Sequence, residues 1–175
     1  LIKKPIIYYQ NNSTALVSVL IPARNEEINI KRCLYSLIDQ SYKNLEIIVL
    51  DDDSDDQTYN VVKNISKNYE SIKVVKGEAK TLGWTGKNWA CYQLSKYANG
   101  DFLLFVDADT KLQKNTIAET VNEMNNNDVD LISLFPNRVT NTAIDKIISV
   151  TIGWFIFSCL PIIFLNKNPI FSSAF

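Results

Sequence analysis

Asp107-Ala108-Asp109 and the run Asp51-Asp52-Asp53 are the residues whose types and spacing could do chemistry. Asp107 and Asp109 stand two apart at the end of an apolar run, Phe102 to Val106. In extended backbone, residues two apart share a face. Two carboxylates on one face repel unless something positive lies between them. A divalent Mg2+ or Mn2+ suits such a pair, because it prefers oxygen ligands and leaves positions open for phosphate. Such an ion would neutralise a diphosphate leaving group. The plainer reading is a solvated turn with an Asp capping a helix before Thr110. Upstream, five aspartates fall within residues 51–56. Asp51 and Asp52 suit hydrogen bonds from ribose hydroxyls or a base N–H. Ser54 or Asp55 suits a helix cap. A cap alone does not explain so much packed like charge.

Two further clusters carry polar groups suited to a ligand. Pro22-Ala23-Arg24-Asn25-Glu26-Glu27 follows a hydrophobic run. Glu26 and Glu27 favour a helix N-terminus, which is enough to explain Glu27. Arg24 and Asn25 could reach a nucleotide in the same crevice. Leu82-Gly83-Trp84-Thr85-Gly86-Lys87-Asn88-Trp89-Ala90 joins two glycines, two tryptophans and a cation. Lys87 at a helix start sits against an already positive dipole, and an anionic ligand would resolve that conflict. A surface lysine beside core tryptophans is the competing account.

Absences narrow the chemistry. The 175 residues contain no histidine. That removes imidazole bases, Ser-His-Asp chemistry and His-containing zinc sites. No GxGxxG or GxxxxGK[ST] is present, so a dinucleotide or P-loop reading lacks its phosphate cradle. Formal net charge is −1, which gives no reason to expect a nucleic-acid partner. Cys33, Cys91 and Cys159 lie far apart and suit a reducing compartment as small buried hydrophobes. Leu1 at the start and Phe175 within an apolar stretch suggest a piece of a longer chain.

The elements that must position these clusters follow from periodicity. Residues 16–21 read as a buried strand ended by Pro22, and 45–50 as a second strand. Ile30, Cys33, Leu34, Leu37 and Ile38 have helical spacing. A second helix is expected over 56–69, a short strand over 72–75 and a loop over 77–86. A third helix over 87–97, a strand over 101–106, a helix over 114–126 and a fifth strand over 130–135 complete the pattern. Such alternation implies an α/β fold, a Rossmann-like, mostly parallel sheet with helices on both faces. Ligands in such sheets bind outside the carboxyl ends of strands. Each polar cluster sits at such an end. The 46% hydrophobic content suits one domain. Its organisation reads as an extension over 1–15, a domain carrying the polar clusters over 16–140 and an apolar segment over 141–175.

Taken together, VSVLIPARNEEINI, LEIIVLDDDSDDQT, GWTGKNWAC and GDFLLFVDADT resemble family 2 glycosyltransferases of the GT-A fold. GWTGKNWAC is similar to the branch containing 4,4'-diaponeurosporenoate and hopanoid-associated glycosyltransferases. The resemblance covers about residues 16–135 well. It implies inverting transfer from a nucleotide-diphosphate sugar, often a UDP-sugar, assisted by Mg2+ or Mn2+. It places Pro22, Ala23, Arg24 and Glu26 along the donor, Asp52 at the base or ribose with Asp51 beside it, and Lys87 near the diphosphate. Asp107, Ala108 and Asp109 match the family's DxD, with Asp109 the usual direct metal ligand and Asp107 beside it. The family's later acidic motif, which supplies the base, and its QxxRW-like motif have no counterpart here. The resemblance therefore puts the base beyond Phe175.

Residues 147–165 carry no charge, and nineteen helical residues are about long enough to cross a bilayer core. Gly153 and Pro161 interrupt the run, while Lys146 and Lys167 flank it and could meet anionic headgroups. It suits a span, an interfacial helix or a core helix. The first two suit a lipid or polyprenyl-type acceptor and a place at the cytoplasmic face of the cell membrane. Two other functions remain open at this point: a nucleotidyltransferase of similar architecture, and a non-catalytic nucleotide-sugar-binding module.

Overall fold

The computed structural model describes residues 15–127, 129–134 and 142–159. Contacts divide the chain into two units, Leu1–Val129 and Asp130–Phe175. The boundary expected at 140/141 and residues 1–14 of the expected extension lie outside the described residues.

The first unit is built on four parallel strands in the order β3-β2-β1-β4. They are β1 (Val17–Ala23), β2 (Leu45–Asp51), β3 (Ile72–Lys76) and β4 (Phe102–Phe105). Helices α1 (Ile30–Ile38), α2 (Thr58–Ser66), α3 (Gly86–Tyr97) and α4 (Thr116–Asn127) connect or follow them. Val17, Val19, Ile21 and Ala23 of β1 alternate toward one face, where they meet Ile47 and Val49 of β2 and the buried sides of α1, α2 and α4. Leu20 points the other way and packs with Ile48, Leu50 and α3 residues Ala90 and Leu94. Burial on both faces explains why β1 and β2 read as continuous apolar runs.

Three sequence expectations need correction. β1 does not stop at Pro22: it runs through it to Ala23, with Pro22 opposite Leu50. Leu20 O accepts from Val106 N, so even-numbered residues of β1 turn their backbone groups toward β4. The β1–β4 pairing ends at Leu20–Phe105. The amide that Pro22 lacks therefore faces a place with no strand to receive it, which is where proline is tolerated in a sheet. The fifth strand over 130–135 is absent from described residues 130–134, where Leu131 and Leu134 are exposed. An apolar run forms a strand only where a neighbouring backbone pairs with it. Thirdly, neither Asp107 nor Asp109 caps a helix at Thr110, because α4 begins only at Thr116.

The amino-terminal ends of β1 and β4 are clamped by one acidic group. Glu46 accepts hydrogen bonds from the Ser18 hydroxyl, from Asn99 N at 2.6 Å and from Asn99 Nδ2 at 3.1 Å. Partial burial pushes its pKa up, but the bonds from Ser18 and Asn99, with the nearby Lys73 charge, outweigh this and hold it below the usual value. A depressed folded-state pKa gives stability that is complete above the unfolded value near 4.5 and lost as pH falls through the folded one. Glu46→Gln should therefore flatten the acid limb. Urea midpoints measured at neutral pH and at about pH 3.5 should differ less in the variant than in the parent.

The second unit contains α5 (Ala143–Cys159). Ile147, Val150 and Trp154 on it are exposed. Among the described residues no helix is long and apolar enough to cross a membrane. Residues 160–165 of the apolar run lie outside the described residues.

Candidate active site

Two loops at the carboxyl ends of β1 and β2 are laced into one wall. Asn25 N donates to Ser54 Oγ at 3.0 Å, and Asp55 N returns a bond to Asn25 Oδ1 at 2.9 Å. Glu26 N donates to Thr58 Oγ1, and Glu27 N to Asp56 Oδ2. Gln57 N donates to Glu27 Oε2. Asn25 and Asp53 hold positive φ, 55° and 56°. Asn and Asp tolerate the left-handed region better than other side chains, so these two types can form such tight loop tips.

The lacing reassigns several acidic residues. Asp56, rather than Ser54 or Asp55, serves the start of α2: its Oδ1 accepts from Thr58 N at 2.9 Å and from the Thr58 hydroxyl. Desolvation opposes ionisation of Asp56, yet these bonds and the one from Glu27 N hold its pKa below the usual carboxylate range. Glu27 binds the start of α2 instead of acting only on α1. Much of the acidic run is thus structural, and the residues left for a ligand are fewer than the sequence suggests.

Asp51 and Asp52 differ sharply. Asp51 is opposite Ala23 in the β1–β2 register and is buried, and among the described residues its Oδ1 has no hydrogen-bond partner. Asp52 N is tied to Ala23 O at 2.8 Å, and its side chain is half-exposed. A Cβ built on Gly86 would lie 3.6 Å from Asp52 Oδ2, so Asp52 stands over the start of α3. The next residue, Lys87, reaches the end of β4: its Nζ lies 2.7 Å from Asp107 Oδ1. The bond to Asp107 raises the Lys87 pKa above its ordinary value against partial desolvation, and the Asp107 and Asp109 charges act in the same direction. Asp107 thus sets a negative charge beside Lys87 at the positive dipole end of α3.

Asp107 and Asp109 are exposed on either side of buried Ala108. The backbone turns here, Thr110 N bonding Asp107 O at 3.0 Å, instead of continuing extended. Arg32 of α1 braces this turn by donating to Asp109 O at 2.9 Å, and Cys33 Sγ approaches Asp107 O at 3.8 Å. Burial is the main force pushing the Cys33 thiol up to about 12; Asp109, Arg32, Asp107 and Glu26 are close enough to act on it as well. That supports an inert, buried Cys33. Arg24 is exposed and Pro22 half-buried.

Ala23, Glu26, Asp51, Asp52, Lys87, Asp107 and Asp109 are therefore brought to one end of one sheet. Sequence reasoning missed Arg32, Thr58 and Gln93. Gln93 is buried and accepts from Glu78 N at 2.7 Å, fixing the loop before α3. Arg32 sits on the solvent side of an amphipathic pattern, so nothing local distinguishes it from an ordinary surface charge.

A metal fits this arrangement as a two-carboxylate site, weak by itself and completed by phosphate and water. Among the described residues no group of three or more acidic, cysteine or histidine side chains could hold an ion alone. Asp107 and Asp109 offer hard oxygen donors, and one Asp107 oxygen is held by Lys87. Mg2+ and Mn2+ sites commonly use one or two carboxylates and take the rest of their ligands from phosphate and water.

This is an α/β domain whose polar clusters gather at the carboxyl ends of its strands. The model of glycosyl transferase family 2 matches residues 18–146, and the chain belongs to that family. It is 36% identical over 112 residues to 4,4'-diaponeurosporenoate glycosyltransferase of Staphylococcus haemolyticus, covering 64% of this chain and 29% of that protein. It is 33% identical over 110 residues to GalNAc(5)-diNAcBac-PP-undecaprenol beta-1,3-glucosyltransferase of Campylobacter jejuni, covering 62% and 34%. Among solved structures, S. aureus TarS in complex with UDP matches with TM-score 0.57 and 28% identity over 73% of this chain and 38% of that one. Mannosyltransferase PcManGT from Pyrobaculum calidifontis, in complex with GDP-Man and Mn2+, matches with TM-score 0.58 and 25% identity over 70% and 36%. The chain thus spans about a third of the length of these curated relatives.

Proposed function

We propose that this chain is the donor-binding part of an inverting glycosyltransferase that moves a sugar from a UDP-sugar to a lipid-like acceptor at the cytoplasmic face of the cell membrane. The observation that carries this reading is the junction of two strand ends with the start of α3: Asp52 over Gly86, and Lys87 on Asp107. The UDP held by TarS, the Mn2+ and GDP-Man held by PcManGT and the undecaprenol-linked substrate in the Campylobacter enzyme's name support it. Family membership favours it over a nucleotidyltransferase.

In this reading Ala23, Glu26, Asp51 and Asp52 line the nucleoside, and Lys87 receives the diphosphate. Asp107 and Asp109 hold the Mg2+ or Mn2+. When bound, the metal stabilises the negative charge of the departing diphosphate. Lys87 adds a charge-assisted bond to the same oxygens. To do so, it gives up Asp107.

Two measurements test this assignment. Lys87→Ala should weaken UDP about tenfold or more in calorimetric titration while changing uridine little; equal losses for both ligands would remove Lys87 from the phosphates. Lys87→Met should have the opposite effect on Mn2+ offered without nucleotide. With Asp107 no longer engaged, Mn2+ followed by electron paramagnetic resonance should bind about two- to fivefold more tightly. A weaker or unchanged Mn2+ site would show that Lys87 and the ion do not share Asp107.

A further inference from the structure

Residues 76–100 contain four lysines and one acid, Glu78, in a chain of net charge −1. The same stretch holds two of the three tryptophans. Lys76 lies over Tyr59 of α2 and Lys87 on Asp107, which leaves Lys80, Lys96 and the two tryptophans along the loop and α3. α3 buries Ala90, Gln93 and Leu94 against the sheet, so Tyr92 and Lys96, one turn apart, face outward. Trp84, Trp89 and Tyr92 form a closed cluster with ring centroids 5.5, 5.0 and 5.6 Å apart. The Trp89 indole N–H donates to Glu78 O at 3.0 Å and pins the loop to the helix. Gly83 turns the loop tip at φ +89, and Leu82 beside it is 98% exposed.

A contiguous exposed apolar patch with a cationic rim marks a binding surface rather than ordinary scatter. Among the described residues neither Lys80 nor Lys96 is paired with a carboxylate; the Lys96 ammonium stands 4.8 Å over the Tyr92 ring. The tip projects freely, with nothing within 4 Å of a Cβ built on Gly83. A projecting leucine suits a fluid surface that closes around it better than a flat, rigid one.

We propose that this face of α3 and the loop before it dock on an anionic lipid bilayer. Trp and Tyr settle at headgroup depth, Leu82 enters the acyl boundary, and Lys80 and Lys96 meet anionic headgroups. Gly86, two residues from Trp84, abuts Asp52, so docking brings the mouth of the crevice to the membrane surface. The docking does not depend on which sugar, or which nucleotide, the crevice takes.

The three tryptophans allow a local test. In a Trp89→Phe/Trp154→Phe chain, Trp84 reports this patch; in a Trp84→Phe/Trp89→Phe chain, Trp154 reports α5. Vesicles of phosphatidylglycerol and phosphatidylcholine carrying brominated acyl chains should quench Trp84, and vesicles of phosphatidylcholine alone should do so far less. Lys80→Gln with Lys96→Gln should lower partitioning about thirtyfold, roughly fivefold per charge. Leu82→Ser alters a fully exposed side chain and should weaken binding without touching the fold. Quenching of Trp154 but not Trp84 would overturn the proposal by assigning the contact to α5. So would failure of both tryptophans to respond, or binding indifferent to anionic lipid.

Discussion

Asp109→Ala should remove Mn2+-dependent UDP binding and leave the fold standing. The side chain is exposed, makes no hydrogen bond among the described residues, and gives the turn only its backbone: Asp109 O accepts from Arg32, and Thr110 N bonds Asp107 O. Alanine keeps both backbone contacts. In the proposed site it removes one of two protein oxygen ligands, and no third acidic ligand stands by among the described residues. Loss of partners outside the coordination sphere already costs about ten- to a hundredfold in metal affinity, so loss of a direct ligand should cost at least about a hundredfold. Calorimetric titration with UDP in Mn2+ would check this beside a circular-dichroism melt. Unchanged affinity with an unchanged melt would move the ion elsewhere. Arg32→Ala should weaken binding less, since it loosens the turn without removing a ligand.

Gly100→Ala should do the reverse, damaging stability at a distance from the site. A Cβ there would stand 2.6 Å from Ser18 N, 2.6 Å from Ser18 Oγ and 2.7 Å from Leu16 O. Two of these are backbone atoms at the start of β1, which is hydrogen-bonded on both sides and cannot step away. The approach is fixed by Gly100 N donating to Ser18 Oγ at 2.7 Å and Leu16 N donating to Asp101 Oδ2 at 2.8 Å. Overpacking of this kind costs about 3 kcal/mol when the neighbour cannot yield. For a chain of this size that lowers the melting midpoint by roughly 10 °C. Ser18→Ala in the same chain should recover little, because the backbone contacts remain. A midpoint within about a degree of the parent would mean that residues 98–101 can lift off β1 at negligible cost.

Much of the fold was legible because its core is periodic. Val17 to Ile21 and Ile47 to Leu50 are apolar on both faces, and Ile30, Cys33, Leu34 and Leu37 mark one side of α1. These patterns depend only on local spacing, and the structure follows them to within a few residues. Pro22 misled because its effect depends on which neighbour its missing amide would face, which the order β3-β2-β1-β4 decides. The segment 130–135 misled because a strand is half of a pair, and composition does not supply the other half.

By itself the sequence determined which chemical groups are available and at which strand ends they emerge: carboxylates after β1, β2 and β4, and a lysine at the start of α3. Strand ends are local features, so local pattern suffices to locate them. Only the tertiary structure decided which carboxylates stay free. Asp56 and Glu27 are consumed in holding two loops together, Asp107 is met by Lys87 from twenty residues away, and Arg32 is recruited from the far side of the chain to brace Asp109. A side chain's partner is set by proximity in space. Proximity between residues distant in sequence exists only after the sheet has brought their strands together.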